Sequence, residues 1–348
     1  MPRRFPLCLV LMIAAALTAG CGGDDAPRGP EPATFAGAAA PAGPLIITHA
    51  GAGSPSSWRP RAEAGCDAAA VVLRDGGDAL AMAVAAVVAL EDDPLLNAGT
   101  GANIRLDGRT IQMDAALMTG TGEFAAVAAI ERVRHPILVA RAVLDTPHRL
   151  LVGEGATRFA HVMGFEDVVP TCPEAEAKWR RRVARLLRGE AGGGYDTFDW
   201  RRAWNFEAPI PTPADTLVAD PVTGDTVGAV VRDAGGGFAA TLSTGGTSIT
   251  LDGRVGDVPI YGCGCYAGPA GAVACTGHGE EIIRQALARK VYDLMAAGAP
   301  AQDAVRRGIA DFPPEWTVGV IAVGRDSWGV AANTDMAYGA TVTAAAAR

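Results

Sequence analysis

No Walker lysine motif, no HExxH, no GxSxG and no GxGxxG at the head of a helix occurs in this sequence. Phosphate-loop, helix-borne zinc, nucleophile-elbow and dinucleotide chemistries therefore have no local support. Histidine is scarce, with five in 348 residues, and no local pattern favours a His-assisted serine or cysteine. Charge is sparse too, at 20% with a net of -8. A nucleic-acid surface needs a concentrated basic patch facing phosphates, so small-molecule chemistry is the better starting point. There is no CxxC pair among the seven cysteines, and Cys263-Gly264-Cys265 is too tight for the usual zinc spacing. The apolar run from Leu7 to Leu17 is too short for a permanent membrane-spanning helix.

What is present begins with a leader. Basic Arg3 and Arg4, the apolar run and small residues before Cys21 read as an export signal over residues 1–20. Leu17-Thr18-Ala19-Gly20-Cys21 resembles a bacterial lipobox, with Thr18 in place of the usual Leu. This predicts a lipidated Cys21 as the mature N-terminus and a periplasmic or membrane-anchored lipoprotein, against plain secretion as the simpler alternative. Residues 21–43, rich in Pro, Ala and Gly, read as a flexible tether. Five cysteines then remain, Cys66, Cys172, Cys263, Cys265 and Cys275, and buried free thiols are expected. With 49% hydrophobic residues the rest can bury a full core, as one large domain or two small ones.

Along the chain, a short apolar strand at Leu45–Ile47 leads into the small-residue loop HAGAGS, His49 to Ser54. Helices are predicted over Arg61–Arg74 and Asp78–Leu90, with Asp78 as cap, and over Pro136–Leu144 and Glu154–Met163. Asp107-Gly108 predicts a hairpin between Ala102–Leu106 and Thr110–Met113. Residues 170–224 lose the pattern and read as a mobile surface linker, in which WRRRVARLLR (Trp179–Arg188) is a solvated helix face flanked by Glu174, Glu176 and Glu190. Strands follow at Thr226–Asp233 and through FAATLSTGG, then helices over Glu280–Ala296 and Ala301–Ile309, and a strand at Val318–Val323 closes the pattern. Helices and hairpins are segregated, which favours helices packed on antiparallel sheets, an α+β form of α/β architecture.

The segment Gly224–Asp257 places a threonine, Thr226, at the head of a strand directly after the unpatterned stretch. NAGTG (Asn97–Gly101), MDA (Met113–Ala115), HPILVARAVL (His135–Leu144), LVGEGATRF (Leu151–Phe159), GRVGD (Gly253–Asp257) and CTGHGE (Cys275–Glu280) together resemble the plant-type asparaginase, isoaspartyl peptidase and glycosylasparaginase family. The likeness runs from about Leu45 to at least Leu294 and is weakest over Pro170–Gly224.

That resemblance implies an N-terminal-nucleophile hydrolase with a four-layer αββα sandwich, cut between Asp225 and Thr226 into a first part, residues 44–225, and a second, 226–348. The physical logic is independent of the likeness. A threonine hydroxyl needs a base, and its own α-amine, with a reference pKa of about 7.7 to 8.0, serves only once the preceding peptide bond is cut. By the resemblance Thr244 orients the nucleophile. Thr276 and Gly277 form the oxyanion hole, Arg254 and Asp257 hold the α-carboxylate and α-ammonium, Gly279 adds a carbonyl contact to the ammonium, and Asn97 lines the site. His278 is read as a bystander. No catalytic metal and no cofactor is required, while the Leu90–Thr100 loop resembles one that holds a structural sodium through backbone carbonyls. A homodimer of cleaved two-chain units is expected.

HAGAG resembles the HGGAG of the isoaspartyl peptidase and asparaginase branch with Ala50 for Gly, whereas Asp225 is what glycosylasparaginases carry before the nucleophile. The first motif shapes the pocket, so hydrolysis of L-asparagine and β-aspartyl peptides is the leading expectation and glycosylasparaginase the alternative. An inactive ligand-binding surface lipoprotein is the reading from another class.

Overall fold

The computed structural model of the chain describes residues 32–40, 43–192, 196–210 and 225–342. Residues 1–20, Cys21 and positions 211–224 lie outside the described residues.

Twelve strands among the described residues form two sheets. The first contains β1 (Thr34–Ala39), β8 (Cys265–Gly268), β9 (Gly271–Gly277), β10 (Val318–Gly324) and β11 (Ser327–Ala332) in the order β1-β11-β10-β9-β8. The second contains β2 (Leu45–Ala52), β3 (Met113–Thr119), β4 (Phe124–Ile130), β5 (Leu150–Val152), β6 (Val227–Arg232), β7 (Phe238–Thr244) and β12 (Met336–Val342), ordered β12-β2-β6-β7-β3-β4-β5. Every pairing is antiparallel except β4 with β5.

The helices are α1 (Arg59–Arg74), α2 (Ala79–Glu91), α3 (Pro136–Leu144), α4 (Gly153–Val162), α5 (Pro173–Leu187), α6 (Gly279–Gln285), α7 (Leu287–Ala296) and α8 (Ala301–Ile309). The first three cover the seven-stranded sheet, and α7 and α8 cover the five-stranded one. This is the four-layer αββα sandwich.

Three stacked cores explain why the strands read as unbroken apolar runs. In β2, Ile46 faces the core under α1 and α2, while Leu45 and Ile47 face the core between the sheets. In β10, Ile321 and Val323 face that inter-sheet core, while Val318, Val320 and Ala322 face α7 and α8. A strand buried on both faces has no polar side to alternate.

Several local expectations hold. Asp78 caps α2 by accepting from Ala81 N–H at 2.8 Å, and all five described cysteines are buried and free.

Others change. The Asp107-Gly108 turn forms, with Arg105 N–H on Thr110 C=O at 2.8 Å. Its flanks are not strands, because Leu106 N–H instead bonds the Thr250 carbonyl at 3.1 Å. The single helix expected over Glu280–Ala296 is two, broken at Ala286 in a left-handed conformation (φ 46°). The N–H groups of Ala288 and Arg289 are drawn to the carbonyls of Cys263 and Gly262. Val318–Val323 does not close the pattern, since β11 and β12 follow.

The tether reading fails over Thr34–Ala39, which pairs with β11 as an edge strand, where backbone bonding rather than side-chain pattern specifies the strand. The linker reading fails over α5, which buries Val183 and Leu186 with Leu106, Trp200 and Ile249 in a small core of its own. Its solvated face is real but partial. Arg180 pairs with Glu176 and Arg188 with Glu190, whereas Arg181 is buried.

Candidate active site

The site forms where the ends of β6, β7 and β9 meet across the two sheets. Thr226 precedes β6 and is buried. Its hydroxyl donates to Thr244 Oγ1 at 3.2 Å, and that oxygen also accepts from Gly246 N–H at 3.0 Å. The pairing of β6 with β7 sets Val227 opposite Ser243, which brings the two threonines side by side at the sheet end.

In the uncut chain the Thr226 nitrogen is an amide. It donates to Asp225 Oδ1 at 2.8 Å. Gly51, at φ +97°, lies against the same bond. A Cβ there would fall 2.5 Å from Asp225 N and 2.7 Å from both its Cα and its carbonyl carbon. Only glycine permits that approach. Burial pushes the Asp225 carboxyl up, opposed by the Thr226 N–H, Lys178 and Arg254.

Thr276 arrives from the other sheet and is fully buried. Its oxygen accepts from Ala52 N–H at 3.1 Å, which leaves the hydroxyl proton free to donate. The neighbouring Gly277, at φ +124°, has no room for a side chain, because a Cβ would meet Thr317 O at 2.2 Å.

Arg254 and Asp257 converge on Gly279. A Cβ on that glycine would stand 2.9 Å from Asp257 Oδ1 and 3.0 Å from Arg254 Nη2, so both groups border the space a side chain would fill. Asp257 Oδ2 is buried without a hydrogen-bond partner. Burial, only partly offset by its own N–H and Arg254, raises the Asp257 carboxyl to about 8. A neighbouring cation favours the ionised form of such a carboxyl.

Asn97 is engaged structurally. Its Nδ2 donates to Gly246 O at 2.7 Å and its Oδ1 accepts from Asn103 N–H at 3.0 Å, which ties the loop after Thr244 in place.

Asn97, Asp225, Arg254 and Gly277 line a cleft of about 1140 Å³, whose walls also include Lys178, Phe198, Asn205, His278 and Trp316. Sequence reasoning gave no role to several residues here. Lys178 belongs to the stretch read as linker; it is half-buried and lines the cleft, where burial lowers its ammonium to about 8 against the pull of Asp225. His49 is fully buried beside Thr226 and lowered to about 3 by burial. A Cβ on Gly228 would fall 2.5 Å from its Nε2, so that glycine makes room for the ring. Asp114 sits opposite Thr244 on β3 and accepts from Ala129 N–H at 2.8 Å. The signal for Lys178 was weak, whereas His49, Asp114 and Glu280 stood inside quoted motifs without a stated partner.

Residues 43–348 match the family model described as Asparaginase. The chain belongs to the asparaginase family. Among its relatives, it is 40% identical over 264 residues to the plant-type L-asparaginase of Pyrococcus abyssi, covering 74% of this chain and 81% of that protein. It is 39% identical over 247 residues to the isoaspartyl peptidase of Salmonella typhimurium, covering 70% and 73%. To the isoaspartyl peptidase/L-asparaginase of Homo sapiens it is 37% identical over 236 residues, covering 67% and 68%. Family membership bears out the N-terminal-nucleophile sandwich, and the chain is a hydrolase of that type. No helix among the described residues is long and apolar enough to cross a membrane.

Proposed function

We propose that this chain is a self-cleaving threonine amidohydrolase that releases L-aspartate from L-asparagine and β-aspartyl peptides. The observation that carries this reading is the buried Thr226 hydroxyl, 3.2 Å from Thr244 Oγ1, at a peptide bond against which Gly51 is pressed. In the intact chain Thr226 Oγ1 attacks the Asp225 carbonyl carbon, the C–N bond breaks, and the resulting ester is opened by water. The products are the Asp225 carboxylate and a free Thr226 amine.

In turnover that amine takes the hydroxyl proton as Oγ1 attacks the substrate's side-chain carbonyl. The Thr276 hydroxyl and Gly277 N–H face the developing oxyanion. The leaving amine departs protonated, and water, activated by the same amine, hydrolyses the acyl-enzyme. Arg254 and Asp257, converging on Gly279, suit an α-carboxylate beside an α-ammonium, with the Gly279 carbonyl as a further acceptor. The relatives named for L-asparagine and isoaspartyl peptides support the same substrates.

Glycosylasparaginase activity is the second reading, favoured by Asp225 before the nucleophile and by a cleft of about 1140 Å³, more than an asparagine requires. A surface binding protein without activity has no support. The leader supports export with Cys21 as lipid anchor. For the Leu90–Thr100 loop, the proposal includes a structural sodium held through backbone carbonyls, the oxygen ligands that a hard cation takes. Pairing of cleaved units into a homodimer completes the proposal.

A denaturing gel tests the central claim. The purified chain should give two fragments without added protease, with Thr226 at the new N-terminus. Thr226→Ala should remain one inactive chain, and its normal cleavage and asparagine hydrolysis would sink the reading.

A further inference from the structure

Arg254 is held by a neighbouring carboxylate. Its Nε donates to Glu280 Oε1 at 3.0 Å, and its Nη2 donates to Oε1 and Oε2 at 2.9 Å each. The guanidinium is mostly buried, with 15% of its side chain accessible against 57% for Glu280, so the carboxylate grips it from the solvent side. The Arg254 backbone is held separately, its carbonyl accepting from Arg105 Nη2 at 2.9 Å. Nη1 lies toward the opposite side, where a Cβ on Gly256 would come within 3.0 Å and one on Gly246 within 3.4 Å.

A guanidinium presents two carboxylate-binding edges, Nε with Nη2 and Nη1 with Nη2. Here Glu280 takes the first. Nη2 also borders the space beside Gly279 and Asp257 Oδ1, so the second edge is the one that meets this space.

We propose that Glu280 is a positioning residue for substrate binding: by holding the Nε–Nη2 edge of Arg254 it fixes the plane of the fork and presents the Nη1–Nη2 edge to the substrate's α-carboxylate. The inference rests on Arg254 being the carboxylate-binding residue. Long arginine side chains lose considerable rotamer freedom when held, and Glu280 imposes that loss before substrate arrives. His278, stacked on Trp316 at 3.8 Å between ring centres, places its Nε2 4.0 Å from Glu280 Oε2 and walls the carboxylate from the far side. Glu280 has no contact with Thr226, Thr244 or Thr276 among the bonds described, so its effect falls on binding rather than on bond breaking.

The test compares Glu280→Ala and Glu280→Gln, each as the full chain, on asparagine and on asparagine α-amide, which lacks the α-carboxylate. Both variants should still give two fragments. Glu280→Ala should raise KM for asparagine about 10- to 100-fold, the loss expected for charged hydrogen bonds, with kcat little changed. Glu280→Gln keeps the shape and one acceptor and should recover part of the loss. The α-amide should show no comparable change. An unchanged KM, or an equal rise on the α-amide, would overturn the inference, as would a lowered KM, which would mean that Glu280 competes with substrate. Loss of cleavage in both variants would place Glu280 in maturation and overturn it as well. Arg254→Ala run in parallel separates the two levels. If it still distinguishes asparagine from the α-amide as wild type does, the underlying reading of Arg254 fails. If that distinction is lost while the Glu280 variants behave normally, only the role of Glu280 fails.

Discussion

Adding one methyl group at Gly51 should separate folding from self-cleavage. The Gly51→Ala Cβ would sit 2.5 Å from Asp225 N and 2.7 Å from its carbonyl carbon, where non-bonded carbon atoms prefer about 3.5 to 4.0 Å. Relief requires the scissile bond to move by on the order of 1 Å, and misplacement of that size costs about 100-fold in rate when a near-attack geometry is needed. The φ of +97° at Gly51 adds backbone strain of about 1 to 2 kcal/mol for any residue with a Cβ. Gly53 supplies the control. It has a similar φ of +86° but nothing within 4 Å of its Cβ position, so Gly53→Ala bears the strain without the collision. A gel time course after refolding should show Gly51→Ala cleaving about 100-fold more slowly and Gly53→Ala cleaving close to the wild-type rate, with both folded by circular dichroism. Wild-type cleavage in a folded Gly51→Ala protein would refute the argument. Equal stalling of both variants would transfer the effect from the contact to loop strain.

Arg254→Ala should still cleave, because the precursor offers no α-carboxylate. Its kcat/KM on asparagine should fall by roughly 30-fold to a few thousand-fold, with Arg254→Lys recovering only part. His49 should contribute to acid sensitivity. Its folded value of about 3 lies below the ordinary histidine value of 6.5, so its contribution is full above pH 6.5 and is lost as pH falls from there toward 3. At pH 5 the loss is about 2 kcal/mol, and denaturant titrations of His49→Gln should show a correspondingly shallower decline over that window; an unchanged slope would contradict the assignment. Cys21→Ser should move the protein from the membrane fraction to the soluble fraction, and a wild-type N-terminus found unmodified at another residue would count against lipidation.

The family was legible because its motifs are local. A threonine at a strand head and the short motifs carrying Thr244, Arg254, Asp257 and Thr276 each occupy a few adjacent positions. Periodicity also located most helices, since caps such as Asp78 and the proline at the start of α3 act within one turn. Strand edges were less legible. Small-residue strands such as β1, and the terminal β12 beside β2, are specified by a neighbour's unpaired backbone, which leaves little trace in side-chain pattern.

By itself, then, the sequence determined the family and the layered class of the fold, because both depend on residue type and on short-range order. Tertiary structure alone decided that Gly51 presses on Asp225, that Lys178 turns from a basic helix into the cleft, and that Glu280 takes one edge of Arg254. Each is a contact between segments distant in the chain, and its energy depends on distances of a few ångströms that only packing of the two sheets and their helices sets.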